Sequence, residues 1–283
     1  MRHIVWFIFL SILLGCSPVE RPADQLPIVN FDDPDVNRIL SFQDKRLTDS
    51  LIIYFQSASP NHRYLAAKAF ASVQDKKAIP GLLRLLKDNN AQIRSISAFS
   101  LGQIGDPSAE NGLTQAFEKN DSIQDIMLVN KEVLEALGKC GSEQSMKYIA
   151  AARNYGPEDI PLVQGQTRSL YRFGLREMTD SLGTLRMVDI LSDPRFDSNS
   201  RLFAANYLYR FRNLDLSLHV GDLIKTYVNE GDEQIKLFLA VVLGRLNTDS
   251  ALNQLLGDLE SDSDPSLKCN IIRGLEGYPY ERV

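Results

Sequence analysis

The sequence predicts an all-α solenoid of stacked helical pairs, on three observations. A short block recurs at a nearly constant interval. Each interval holds two amphipathic stretches of helical period. No stretch alternates at period two for long enough to build a sheet.

The block reads apolar, small, any, apolar, then polar or Gly. Clear copies are Phe70-Ala71-Ser72-Val73-Gln74-Asp75, Leu101-Gly102-Gln103-Ile104-Gly105-Asp106, Leu137-Gly138-Lys139-Cys140-Gly141-Ser142 and Leu243-Gly244-Arg245-Leu246-Asn247. Copies starting at Leu170 and Leu208 carry Tyr171 and Tyr209 at the small position. With Ile39 and Leu275 the first residues are 39, 70, 101, 137, 170, 208, 243 and 275, so the interval runs from 31 to 38 residues. That length suits one helix–turn–helix unit, about seven in all. Each unit buries its apolar face only against its neighbours.

Taken in order, the chain divides at residues 15 and 33. Met1-Arg2-His3 is basic and Ile4 to Leu14 is apolar apart from Ser11. Eleven residues are too few to span a bilayer and suit the core of a signal peptide, here residues 1–15. The run ends Leu13-Leu14-Gly15-Cys16, which resembles a bacterial lipobox. The resemblance implies cleavage before Cys16 and a lipid on its thiol; Ser17 in the next position favours the outer membrane over the inner. Residues 16–33 hold Pro18, Pro22 and Pro27 without periodicity and read as a tether. Residues 34–283 form the array.

Within the units, Tyr64 to Ala71 and Ile79 to Leu86 make one pair, with Pro80 tolerated in a first turn. Ile96 to Ile104 and Ala109 to Phe117 make the next. The helix starts repeat too. Ser59, Asn90, Asp197, Asp232 and Asp264 are good N-caps, and each is followed four residues on by Arg63, Arg94, Arg201, Lys236 or Lys268. These cations read either as a structural ladder along the array or as an anion-binding stripe.

Asn90-x-x-x-Arg94, Ala98 and Leu101-Gly102-x-Ile104-Gly105-Asp106-Pro107 resemble the short bacterial HEAT repeat. The resemblance covers about residues 34–283 and is weakest at 146–197. It implies a right-handed α–α superhelix and a scaffold that binds proteins. The layout of lipobox, tether and array is also similar to the N-terminal arm of secreted cyclophilin-like peptidyl-prolyl isomerases. The alternative expectation is therefore a non-catalytic arm of such an enzyme, with the array broken off midway through a unit at Val283.

Composition and chemistry narrow the function. Lys+Arg is 31 against Asp+Glu 36, a net charge of −5, with no basic run, so nucleic acid is not expected as a partner. Residues 1–15 carry one Arg and no carboxylate; without them the balance is 30 to 36. There are three His and three Cys. His62 and His219 lie four units apart, too far to share a site in a regular stack. Cys140 falls at a core position, and Cys269 is too distant to bridge to it. The acidic run from Leu259 to Asp264 lacks the density of a cation loop. The expectation is no metal, no cofactor and no catalysis within these residues, with unknown envelope proteins and the membrane at Cys16 as partners.

The candidate binding residues come from the break in the pattern. A small residue lets helices approach closely and a tyrosine does not. Tyr171 and Tyr209, with Phe196 and Phe203 nearby, are expected to bend the superhelix between about residues 153 and 215, and to expose at least one tyrosine ring to a partner. The plainer alternative is a repacked core.

Overall fold

The computed structural model describes residues 29–118, 123–261 and 264–279. The signal segment, Cys16 and most of the tether lie outside the described residues. The chain runs as successive pairs: α1 (Pro34–Asp44) with α2 (Thr48–Ile53), α3 (Pro60–Val73) with α4 (Ile79–Leu85), and α5 (Ala91–Ile104) with α6 (Glu110–Ala116). Then come α7 (Gln124–Cys140) with α8 (Glu143–Ala151), α9 (Ile160–Leu175) with α10 (Ser181–Ser192), and α11 (Ser198–Arg210) with α12 (Val220–Asn229). Finally α13 (Glu233–Arg245) pairs with α14 (Asp249–Ser261), and α15 (Pro265–Gly274) stacks on α13. Among the described residues there is no strand, and the predicted all-α HEAT-like solenoid is the fold. No described helix is long and apolar enough to cross a membrane.

The recurring block is the corner of each unit. Its small residue sits where neighbouring first helices meet backbone to backbone. A Cβ on Gly102 would lie 2.8 Å from the Ala136 Cα, one on Gly138 2.7 Å from the Ser169 Cα, and one on Gly244 2.4 Å from the Gly274 carbonyl carbon. The end of the block turns the chain. Gln74 (φ 56°) and Gly105 (φ 68°) close their helices in the left-handed region. Asp75 and Asp106 then accept hydrogen bonds from the Lys77 and Ser108 N–H groups and start the second helix.

The N-cap register has a structural purpose. Asn90, Asp197, Asp232 and Asp264 cap their helices through side-chain oxygens. Ser59 occupies the cap position without a side-chain bond to its helix. The cation four residues on reaches backward. Arg63 donates to the Ser57 and Ala58 carbonyls, Arg94 to those of Asp88 and Asn89, and Arg201 to that of Leu191. Two of them also reach forward: Arg63 to Asp88 at 2.8 Å and Arg201 to Glu230. Asp88 and Glu230 in turn accept the N–H of the next cap, Asn90 and Asp232. Lys236 instead lies over the Tyr227 ring, 5.4 Å from its centroid. Arg63 and Arg201 thus hold one unit to the next, and at these two positions the structural ladder is the reading that applies.

His62 locks the first two units. Its Nε2 lies 2.7 Å from the Asp33 carboxylate and its Nδ1 3.1 Å from the Ser57 hydroxyl. Cys140 is buried, and burial pushes its thiol up to about 12. Cys269 is exposed. Both are free thiols.

Candidate partner-binding face

The first helices present one surface that the second helices do not cover. On α9, α11 and α13 this surface is built from rings. Tyr171 packs against Phe203 (centroids 5.9 Å, edge-on) and Phe211 (5.8 Å). Phe211 meets Tyr207 at 5.0 Å. Tyr209 lies at 4.9 Å from Phe238 of α13. Guanidiniums cover the outer rings, Arg168 over Phe203 at 5.2 Å and Arg245 over Tyr209 at 5.3 Å. Such contacts contribute roughly 0.5–1 kcal/mol each where water reaches them.

Tyr171, Tyr209 and Phe203 are half-buried. Each therefore combines a ring fixed by its neighbours with an edge open to solvent. Tyr171 and Phe203 share one cluster; Tyr209 belongs to the next, one helix further on. Phe196 joins neither. It is buried beneath the Arg186 guanidinium, 5.4 Å from its ring, and its place in the binding set is corrected accordingly. It ends the turn before α11, where the Arg186 side chain, buried and tied to Gln166 and the Tyr155 carbonyl, closes over it.

The same surface carries a charge cluster that the reading of the sequence passed over. Lys131, Glu135 and Lys139 follow each other at four-residue spacing on α7. Arg168, Arg172 and Arg176 run from α9 into its C-terminal turn at the same spacing. The buried Glu135 carboxylate lies 3.2 Å from Lys139, 3.4 Å from Arg168 and 3.3 Å from Arg172. Arg176 donates to the Gly138 carbonyl on α7, and Lys139 lies over the Phe99 ring of α5. The signal was available as two i, i+4, i+8 runs whose faces meet once α7 and α9 are neighbours.

Glu132 and Glu135 differ in electrostatics. Burial drives the Glu132 carboxyl up, and the neighbouring Glu135 charge adds to it. Burial pushes Glu135 the same way, but Lys139, Arg168 and Arg172 outweigh it and hold it below the usual carboxylate range. A group raised on folding stabilises only below its folded pKa; one lowered stabilises at neutral pH and loses that as pH falls through its folded value. Glu132→Gln is therefore expected to be neutral or stabilising by up to about 1 kcal/mol at pH 7. Glu135→Gln should cost about 1–2 kcal/mol, because three cations lose their shared carboxylate. Urea midpoints at pH 7 and pH 4 check both; equal signs at pH 7 would contradict the assignment.

One other cluster brings metal-ligating groups together among the described residues. Single atoms of Asp33, Asp35 and His62 lie within 4.8 Å of one another. Their oxygens and nitrogens already hold the fold: Asp35 accepts from Arg38 and the Tyr54 hydroxyl, and Asp33 from the Asp35 N–H and His62. These are the bonds that start α1 and tie it to α3.

Residues 48–127 match the family model for HEAT repeats. A deoxyhypusine hydroxylase of Neurospora crassa is 30% identical over 133 residues, 44% of this chain and 37% of that protein, so the chain spans little more than a third of that relative's length. Among solved structures, the complex of CpcE and CpcF of phycocyanin lyase from Nostoc sp. PCC7120 aligns over 85% of this chain and 97% of that one, with a TM-score of 0.48 and 19% identity. Human deoxyhypusine hydroxylase in complex with glycerol aligns over 88% and 92%, with a TM-score of 0.35 and 16% identity. The similarity to the Neurospora crassa hydroxylase, an enzyme, overturns the expectation that the chain is not one. The absence of familiar catalytic motifs was a weak ground for it, because helical arrays can assemble a site from side chains far apart in sequence.

Proposed function

We propose that this HEAT-like solenoid is held at the bacterial envelope by a lipid on Cys16 and binds protein partners on its first-helix face. The outer membrane is the expected site, with the array facing the periplasm or the cell surface. The observation that carries the binding reading is the row of half-buried rings at Tyr171, Phe203 and Tyr209, flanked by Arg168 and Arg245. Rigid aromatics with Arg beside them are the residue types that dominate interface energies. The anchor rests on Leu13-Leu14-Gly15-Cys16 after an apolar run too short to span a bilayer. The proline-bearing residues 16–33 then set the array off from the membrane.

Two measurements test this reading. Cys16→Ala should move the protein from the membrane fraction to the soluble one or leave it uncleaved. Continued lipid labelling of that variant would exclude the anchor. For binding, a photoreactive phenylalanine analogue is placed at 171 and, as a control, at Leu218, which is 89% exposed. A discrete adduct from position 171 in living cells, absent from 218, is the expected result. Equal labelling from both positions would sink it. Because a relative is a hydroxylase, the captured partner is also weighed with and without this chain; a gain of one oxygen that depends on the chain would make the partner a substrate.

A further inference from the structure

The α7 and α9 stripes hold more cationic capacity than the fold uses. Five cations, Lys131, Lys139, Arg168, Arg172 and Arg176, face three carboxylates, Glu132 and Glu135 on α7 and Glu110 near Arg176. This surplus sits on a chain whose net charge is −5. The three contacts to Glu135 fall between 3.2 and 3.4 Å, longer than the roughly 2.7–2.9 Å of a strong charge-assisted bond. A guanidinium has five N–H donors, and the Arg168 Nε is buried with no partner. Arg172 has one contact to Glu135 and a side chain 38% exposed.

The shared bonds to Glu135 account for only part of this arrangement. Arg168, Arg172 and Arg176 repeat a like charge at i, i+4, a spacing that destabilises an isolated helix. The cations are also partly sunk into the face, Lys139 to 13% exposure and Lys131 to 20%. Charges of one sign on low-dielectric walls focus their field outward and attract anions. Beside Arg168 lie Phe203 and Tyr171, joined by the Arg168 stack on Phe203.

We propose that the α7–α9 stripe is the docking groove for an acidic, extended segment of a partner protein. One Asp or Glu carboxylate pairs with Arg172 and Arg168 at the end of the stripe. An apolar or aromatic residue beside it packs on Phe203 and Tyr171, and further carboxylates run along Lys139 and Arg176. This rests on the binding reading above and gives the partner its chemistry.

The test uses the full chain and a fluorescein-labelled twelve-residue peptide of repeating Glu-Glu-Phe, followed by anisotropy. A Lys-Lys-Phe peptide and a phosphoserine-Gly-Phe peptide are the comparison probes. Binding of the Glu peptide is expected to fall about tenfold with Arg172→Gln, which leaves Lys139 and Arg168 on Glu135. It should be unchanged with Arg195→Gln, an exposed cation paired with Asp193 on another turn. Affinity should also fall steeply with salt. A melting curve of each variant shows whether it is folded. Indifference to Arg172→Gln in a folded protein, equal binding of the Lys peptide, or binding of the phosphopeptide alone would overturn the proposal. If position 171 captures a partner in cells while the Glu peptide fails to bind, the groove assignment falls and the binding reading stands. If the Glu peptide binds at the stripe while nothing is captured at 171, the reading falls instead.

Discussion

Gly138→Leu is expected to break the array in the middle. The first atom of any side chain there would lie 2.6 Å from the Ser169 carbonyl oxygen, 2.7 Å from its Cα and 2.9 Å from the Arg172 Cβ. Two of these are backbone atoms of α9 and cannot swing aside. Gly138→Ala alone should cost about 2–3 kcal/mol, the upper half of the usual range for overpacking, and leucine more. The sign is informative, because intrinsic helix propensity favours alanine over glycine by about 1 kcal/mol. Gly257→Ala on α14, where a Cβ meets nothing within 4 Å, should show that gain undisturbed. In a linear stack each unit touches only its neighbours, so the damage should also divide unfolding into two steps. Urea denaturation followed by far-ultraviolet circular dichroism measures both effects. A Gly138→Ala protein as stable as Gly257→Ala would refute the close approach of α7 and α9.

Arg201→Met should cost about 3–4 kcal/mol. The Arg201 side chain is 12% exposed and its partner Glu230 3%, and the guanidinium also satisfies the Leu191 carbonyl. Removing the cation strands a carboxylate that water barely reaches, the costly way to break such a pair. Taking the carboxylate away as well, in Arg201→Met/Glu230→Leu, should recover part of the loss. The recovery is incomplete because Glu230 also accepts the Asp232 N–H at the next helix start. A single variant within 1 kcal/mol of the parent would mean that the rung is hydrated and structurally idle.

The fold was legible because its determinants are local and repeated. The block ending in Gln74-Asp75 and Gly105-Asp106 encodes a left-handed turn followed by an Asp cap, and both signals survive translation along the chain. The small residues at Gly102, Gly138 and Gly244 correspond to backbone contacts between first helices. The candidate face was legible only in part. Tyr171 and Tyr209 stood out as exceptions to the repeat, and their rings do lie between helices, half-exposed. Phe196 was grouped with them by proximity in sequence, but the turn that ends at Phe196 carries it to the other layer, under Arg186 of α10. The Lys131–Glu135–Lys139 and Arg168–Arg172–Arg176 runs escaped notice for the opposite reason. Each is unremarked on its own helix and becomes a site only when two helices are side by side.

The two kinds of contact between first helices differ in stiffness. From α5 to α9 and from α13 to α15, main chain rests on main chain at Gly102, Gly138, Gly165, Gly244 and Gly274. Repulsion between such atoms rises steeply over a few tenths of an ångström, so neither spacing nor tilt has much freedom. From α9 to α13 the load passes through rings 4.9 to 5.9 Å apart, with Phe211 lying on Gly174 and Tyr209 tilted over Phe238. Side-chain contacts of this kind allow small adjustments of helix spacing that main-chain contacts forbid. Changes of curvature should therefore concentrate between α9 and α13 rather than spread along the stack, held in check there by the Arg201–Glu230 rung.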